Sequence, residues 1–314
     1  MLPTILAAFL ESSRTAFAMS AAGLALVVIG LLAAKNDVAQ ARGLDKIVAL
    51  TNMCFAVPLA VFGALHFFGP QFVMNIVPKY MPGRMFWVYF VGCALLAASL
   101  SIATKIGVRW SGLLFGTMMF LFVAMLYLPF ALTHVHARIT WTIVLRESSF
   151  GGAGWVLAGA AMGGIGDRKG KILITVGRVL IAIAAIFFGI QHFLHPLGLP
   201  GVPLQKQMPA WVPAAAFIDY LTGAFLVAVG ISALLMRKTR MAAMYLGAWI
   251  VLLVVVIYGP VMIGALADPS TAVQVEGVNY FADTLLFGGV ILSLARAMTA
   301  NPLFSSKSEQ NQHA

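Results

Sequence analysis

One histidine setting occurs twice in this chain. Phe62-Gly63-Ala64-Leu65-His66-Phe67 with Pro70, and Phe188-Gly189-Ile190-Gln191-His192-Phe193 with Pro196, share G-x-x-H-F and a following proline. An unperturbed imidazole changes charge between about pH 5 and 8, so His66 and His192 can handle protons or hold a ligand. At a helix end the same ring can instead satisfy the last free carbonyls, favoured by the helix dipole. Asp219, Tyr220 and Asp283 fall near helix ends at the depth of His192. These residues and His66 form the candidate pocket, placed in the second half of the chain. Helix caps and interfacial hydrogen bonds are the other reading of the two aspartates. Arg178 stands 14 residues before His192, roughly 21 Å along one helix. It snorkels to inner headgroups, pairs within the bundle, or acts as a separate support near the inner side.

Other chemistries lack their residues. Two carboxylates and a histidine can bind a metal, but no spacing here is a metal signature, and none is expected. Two cysteines, Cys54 and Cys93, rule out a four-cysteine zinc or iron–sulfur site. There is no CxxC pair and no G-x-G-x-x-G at a strand-to-helix turn, so no cofactor is bound by a recognisable motif. Cys54 and Cys93 differ in depth by roughly 8 Å on adjacent helices. A disulfide is therefore not expected, and both read as buried apolar fillers.

The elements that must carry these residues follow from composition. Of 314 residues, 61 % are hydrophobic and 10 % charged, with a mean hydropathy of +0.96. Soluble domains run at about 45–50 % apolar and about 25 % charged, so an all-α, multi-pass membrane protein is expected, with the lipid bilayer as its partner. Apolar runs near the length that crosses a bilayer lie at 15–34, 47–68, 85–104, 110–133, 149–165, 172–193, 213–236, 241–266 and 277–298. That makes nine helices. Continuous apolarity, rather than alternation, excludes a barrel. The first run also has signal-peptide features, with Ala39-Gln40-Ala41 resembling a cleavage site, but it is long and lacks a basic start.

The net charge of +10 reads as membrane anchoring rather than nucleic-acid binding. With the N-terminus outside, the inner segments hold Lys35, Arg42, Lys46, Lys105, Arg109, Arg168, Lys169, Lys171, Arg237, Lys238, Arg240, Arg296 and Lys307. The outer segments hold only Arg14, Lys79, Arg84, Arg138, Arg146 and Lys206. This asymmetry puts the C-terminus in the cytoplasm.

The histidine motifs are part of a longer internal repeat. Beyond five residues inserted in the second copy, Pro78, Pro82, Tyr89, Gly92, Arg109, Gly116, Tyr127 and Pro129 match Pro209, Pro213, Tyr220, Gly223, Arg240, Gly247, Tyr258 and Pro260 at one constant offset. The chain thus divides into 1–46, with an extra helix, a four-helix unit at 47–165, a linker at 166–171, a second unit at 172–298, and a polar tail at 299–314. The two units are parallel. Asp219 is matched by Val88 and Arg178 by Asn52, so the second copy holds the fuller polar set. Arg146 and Glu147 approach the outer end of the fifth helix, with His134 and His136 before them. The loops at 69–84 and 194–212 are proline-rich, with Tyr80 and Trp211 placed at headgroup level. The prolines after Tyr127 and Tyr258 predict kinks.

Helix, G-x-x-H-F-x-x-P, proline-rich loop, P-x-x-x-P and a third helix ending in Y-x-P together resemble the DoxX family of small bacterial membrane proteins. The resemblance covers about 240 residues, both copies, and is fuller in the second, where Arg178 precedes Gly189 and His192. It implies a tandem duplication of a four-helix unit in a bacterial inner membrane. It also implies a quinone-contacting or anchoring subunit, with a soluble oxidoreductase partner carrying the redox centre. A transporter or lipid-handling protein using the interface between copies, or a structural assembly factor, are the alternatives. Reporter fusions at Lys169 and Lys238 are expected to signal from the cytoplasm, and fusions at Lys79 and Lys206 from outside. An outside signal at Lys169 would overturn the orientation.

Overall fold

The computed structural model describes residues 7–298, which contain no β-strand beyond one isolated bridge between Gly198 and Gln207. Among the described residues, eight helices are long and apolar enough to cross a membrane. They are α1 (Arg14–Gln40), α2 (Thr51–Phe68), α3 (Arg84–Thr104), α4 (Val108–Thr133), α6 (Arg168–Leu194), α7 (Ala215–Leu234), α8 (Thr239–Leu266) and α9 (Thr271–Ala297). A further long helix, α5 (Arg138–Ala161), carries Arg146, Glu147 and several glycines and is less apolar. The protein is therefore an all-α polytopic membrane protein.

The span expected at 149–165 is displaced, because α5 begins at Arg138 and ends at Ala161. Ile139, Trp141, Ile143, Val144 and Leu145 continue the apolar character upstream, while Glu147 turns inward and is buried. The linker is also shorter than expected. Asp167 caps α6 by accepting from the Gly170 N–H at 2.7 Å, so Arg168–Lys171 form its first turn. The tail at 299–314, with Lys307, lies outside the described residues.

The helices close into a ring. α2 packs on α3, α4 on α5, α5 on α6, α6 on α7, and α8 on α9, and α9 returns to α2. α5 and α9 also touch across the middle, and α1 lies against α2. The most apolar stretches of α2 and α9 are 78 % buried against 17 % for α4, so α2 and α9 form the core and α4 faces outward. Exposed Leu114, Phe90, Leu252 and Val255 give that outer surface a hydrocarbon character suited to lipid.

Close helix contact depends on small residues, since lipid supplies no hydrophobic drive for helices to associate. At the α5–α6 crossing a Cβ on Gly177 would lie 2.2 Å from the Gly152 carbonyl oxygen. At the α9–α2 crossing a Cβ on Gly289 would lie 3.0 Å from the Phe55 nitrogen.

Several features recur at the offset of the sequence repeat. Gly83 and Ala214 before α3 and α7 are both left-handed, as are Gly107 and Lys238 before α4 and α8. The kinks take the form of π-helical turns at Val123–Tyr127 and Val254–Tyr258, each followed by a proline that cannot continue the ladder. Asn52 Nδ2 donates to the Ile102 carbonyl at 2.9 Å where Arg178 Nη1 donates to the Ala233 carbonyl at 2.7 Å. Cys54 is buried, but Cys93 is exposed on the outer surface of α3, which corrects its reading as a buried filler. Its position falls on the lipid-facing side of a helix that is only 33 % buried.

Gly177→Ala is expected to destabilise the protein by about 1–3 kcal/mol, because the crossing has no room for a methyl group. Gly264→Ala, where a Cβ meets nothing within 4 Å, should change it by less than about 0.5 kcal/mol. Thermal melting in detergent compares the two.

Candidate functional site

His192 ends its helix inside the protein. The C-terminal end of α6 and the first turns of α7 bring its Nδ1 to 2.5 Å from Asp219 Oδ1, with both residues at most 1 % exposed. Asp219 Oδ2 has no hydrogen-bond partner among the described residues. Nδ1 facing a carboxylate carries the proton, which leaves Nε2 of the neutral ring as an acceptor. The Gly201 N–H donates to it at 3.2 Å. The Gly201 carbonyl lies 3.1 Å from the same nitrogen, so a protonated ring would donate there instead. His192 is therefore held on both nitrogens and is not a simple helix cap.

The other members of the expected pocket go elsewhere. Tyr220 stacks on Phe193 with its ring 42 % exposed, away from the His192–Asp219 pair. Asp283 sits on α9 and meets Arg146 of α5, Nη1 to Oδ2 at 3.0 Å. One pocket uniting His192, Asp219, Tyr220 and Asp283 does not form. α9 packs chiefly on α2, α8 and α5 and only lightly on α6, and Asp283 faces Arg146 of the first half. His134 stacks on Phe130 at the exposed end of α4 and does not join Arg146 and Glu147.

A cavity of about 490 Å³ lies between α2, α3, α4 and α5 of the first half and α9. Its walls are largely apolar, from Phe62, Leu95, Phe115, Met119 and Phe122. Val73, Ile76, Val77, Pro78 and Met81 of the proline-rich loop roof it, and Trp87, Phe90 and Leu121 stand at its margin with their faces exposed. Its polar wall gathers His66, Tyr127, Arg146, Glu147, Asn279 and Asp283.

Arg146 organises that wall. Its Nε donates to Glu147 Oε1 at 3.0 Å, its Nη1 reaches Asp283, and the guanidinium lies over the Phe150 ring at 5.9 Å. Two carboxylates thus share one guanidinium. Three other groups face the space with capacity to spare. The Tyr127 hydroxyl makes no hydrogen bond among the described residues. Asn279 Oδ1 is buried and without a partner. His66 Nδ1 donates to the Phe62 carbonyl at 2.7 Å, the local bond of a helix-end histidine, and leaves Nε2 open. A cavity with an apolar body and a wall of donors and acceptors can orient an amphiphile by its head.

Arg178 is buried at the opposite end of the bundle from the cavity and pairs within it, donating to the Ala233 carbonyl between α6 and α7. Among the described residues no cluster of three His, Cys, Asp or Glu could hold a metal ion. The sequence-level signal for the cavity was an adjacent Arg-Glu pair inside an apolar run, because ionisable groups in a membrane are costly unless paired. Tyr127 had been assigned only to a kink, and Asn279 gave no signal. No protein-family model, no curated protein and no solved structure matches this chain.

Arg146→Met strands two buried carboxylates and is expected to cost about 3–5 kcal/mol. Combining it with Glu147→Gln and Asp283→Leu removes the stranded charges and should recover most of the loss. Melting temperatures of the single and triple variants check this.

Proposed function

We propose that this protein is a membrane subunit that takes a lipid-soluble quinone into the first-half cavity. In this reading a soluble oxidoreductase partner supplies the electrons, since the chain carries no cofactor-binding motif. The observation that carries it is the cavity itself: apolar along its body, polar on one wall, and edged by exposed Trp87 and Phe90 on the surface that faces lipid. The polar residues suit a quinone head in kind. Tyr127 can donate to a ring oxygen, His66 can accept from a ring hydroxyl, and the roof from Val73 to Met81 excludes water. A quinone bound there supplies two-electron, two-proton chemistry. The resemblance of both copies to the DoxX family supports the same reading, with nine crossings, a tandem four-helix repeat, and a bacterial inner membrane with the C-terminus in the cytoplasm. The cavity would then lie near the outer face.

A second reading, transport between the two halves, draws on one observation. The Arg146–Asp283 pair joins α5 of one half to α9 of the other at the crossing, where a change of pairing would move the halves.

Protein purified in mild detergent is expected to retain quinone at close to one per chain after extraction and chromatography. It should also copurify a soluble oxidoreductase. Absence of quinone, together with solute flux in reconstituted vesicles, would favour the transport reading.

A further inference from the structure

The second half contains its own answer to what fills such a cavity. Residues 199–203 of the α6–α7 loop are buried within it. The Tyr258 hydroxyl donates to the Pro200 carbonyl at 2.8 Å, and the Gly201 N–H donates to His192 Nε2. A Cβ on Gly201 would lie 3.6 Å from both Ile250 Cδ1 and Thr284 Cγ2. The sequence repeat pairs Tyr258 with Tyr127, His192 with His66, and Ile250 with Met119. The paired glycines at the helix crossings, Gly151-Gly152 and Gly288-Gly289, place Glu147 opposite Thr284. Tyr127, His66, Met119 and Glu147 all line the open cavity of the first half.

One difference between the halves is the length of a loop. Pro70 to Pro78 in the first copy corresponds to Pro196 to Pro209 in the second, which has five more residues. The added length lets Pro200 and Gly201 reach inward. The shorter loop of the first half only roofs the space, and His66 Nε2 and the Tyr127 hydroxyl, the counterparts of the atoms that grip the plug, have no hydrogen-bond partner among the described residues.

We propose that the first-half cavity binds a ligand whose head reproduces the Pro200–Gly201 plug: one donor for His66 Nε2 and one adjacent oxygen that accepts from the Tyr127 hydroxyl, on an apolar body. This rests on reading the cavity as a ligand site. The donor requirement follows from the ring state. His66 gives its Nδ1 proton to the Phe62 carbonyl and has no carboxylate beside it, since Val88 stands where the second half has Asp219. Its Nε2 is then an acceptor, as the Nε2 of His192 is toward Gly201. A quinol meets the requirement with a ring hydroxyl and a second ring oxygen. A diacylglycerol meets it with its free hydroxyl and an ester carbonyl. An oxidised quinone, with acceptors alone, satisfies only Tyr127.

The test is a binding titration on the full chain in detergent, with decylubiquinol kept reduced, decylubiquinone, and dioctanoylglycerol, read by quenching of Trp87 against a Trp87→Phe control. One hydrogen bond sets the expected scale. Decylubiquinol should bind at one site per chain and about 3- to 10-fold more tightly than decylubiquinone. Tyr127→Phe and His66→Phe should each weaken it by a similar factor, while Tyr258→Phe lowers the melting temperature and leaves affinity unchanged. Melting curves of the Tyr127 and His66 variants confirm that they fold. Binding of dioctanoylglycerol alone, with the same dependence on Tyr127 and His66, would uphold the plug as template and overturn the quinone reading. Binding of decylubiquinol that neither variant changes, or binding no tighter than that of decylubiquinone, would overturn the template and leave the quinone reading standing. If no probe binds, both fail.

Discussion

A polar group inside a bilayer has no water to turn to, and the rest of this structure depends on that constraint. Arg146, Glu147 and Asp283 meet it together, at side-chain exposures of 16 % or less. Because Arg146 and Asp283 belong to different halves, the cluster also fixes where α5 and α9 cross. The same demand sets the remaining buried polar contacts. Arg178 and Asn52 each donate to a carbonyl on the neighbouring helix, and Arg296 reaches Asn52 Oδ1 at 2.6 Å. Each contact ties one helix to another where apolar packing alone distinguishes weakly between partners, since lipid competes for the same surfaces.

Pairing alone would leave the helices too far apart. The glycines at the α5–α6, α4–α5 and α9–α2 crossings let backbones approach until a methyl group no longer fits. Close approach and buried charge thus act at different crossings: glycines at α5–α6, α4–α5 and α9–α2, and the Arg146–Asp283 pair between α5 and α9. The π-helical turns serve the same geometry from another side. By widening the helix just before a proline, they place Tyr127 and Tyr258 at comparable points facing inward.

The two halves use this common frame differently. In the second, His192 is locked between Asp219 and the loop, so the residues that looked most like a site serve to hold a plug. In the first, the loop is shorter, Val88 replaces the aspartate, and the space stays open with a polar wall. The richer polar set of the second copy thus holds its own loop, and the sparser first copy has the open cavity.

The sequence by itself determined the class of fold and the limits of about half of the long helices, because apolar runs, prolines and glycines act locally. α3, α4, α7 and α8 begin and end within a few residues of their expected bounds. α5 was misplaced because its charged pair, read locally, looks like a helix end rather than a buried cluster. Which residues share a site was decided only by the tertiary structure. Arg146 and Asp283 are 137 residues apart, and nothing local says that α9 closes the ring beside α2 and so carries Asp283 away from His192. Cys93 reads as core by type, yet the rotation of α3 turns it outward. The five inserted residues were visible in the sequence, but their turning inward depends on hydrogen bonds to Tyr258 and His192 that exist only once the second half has assembled around them.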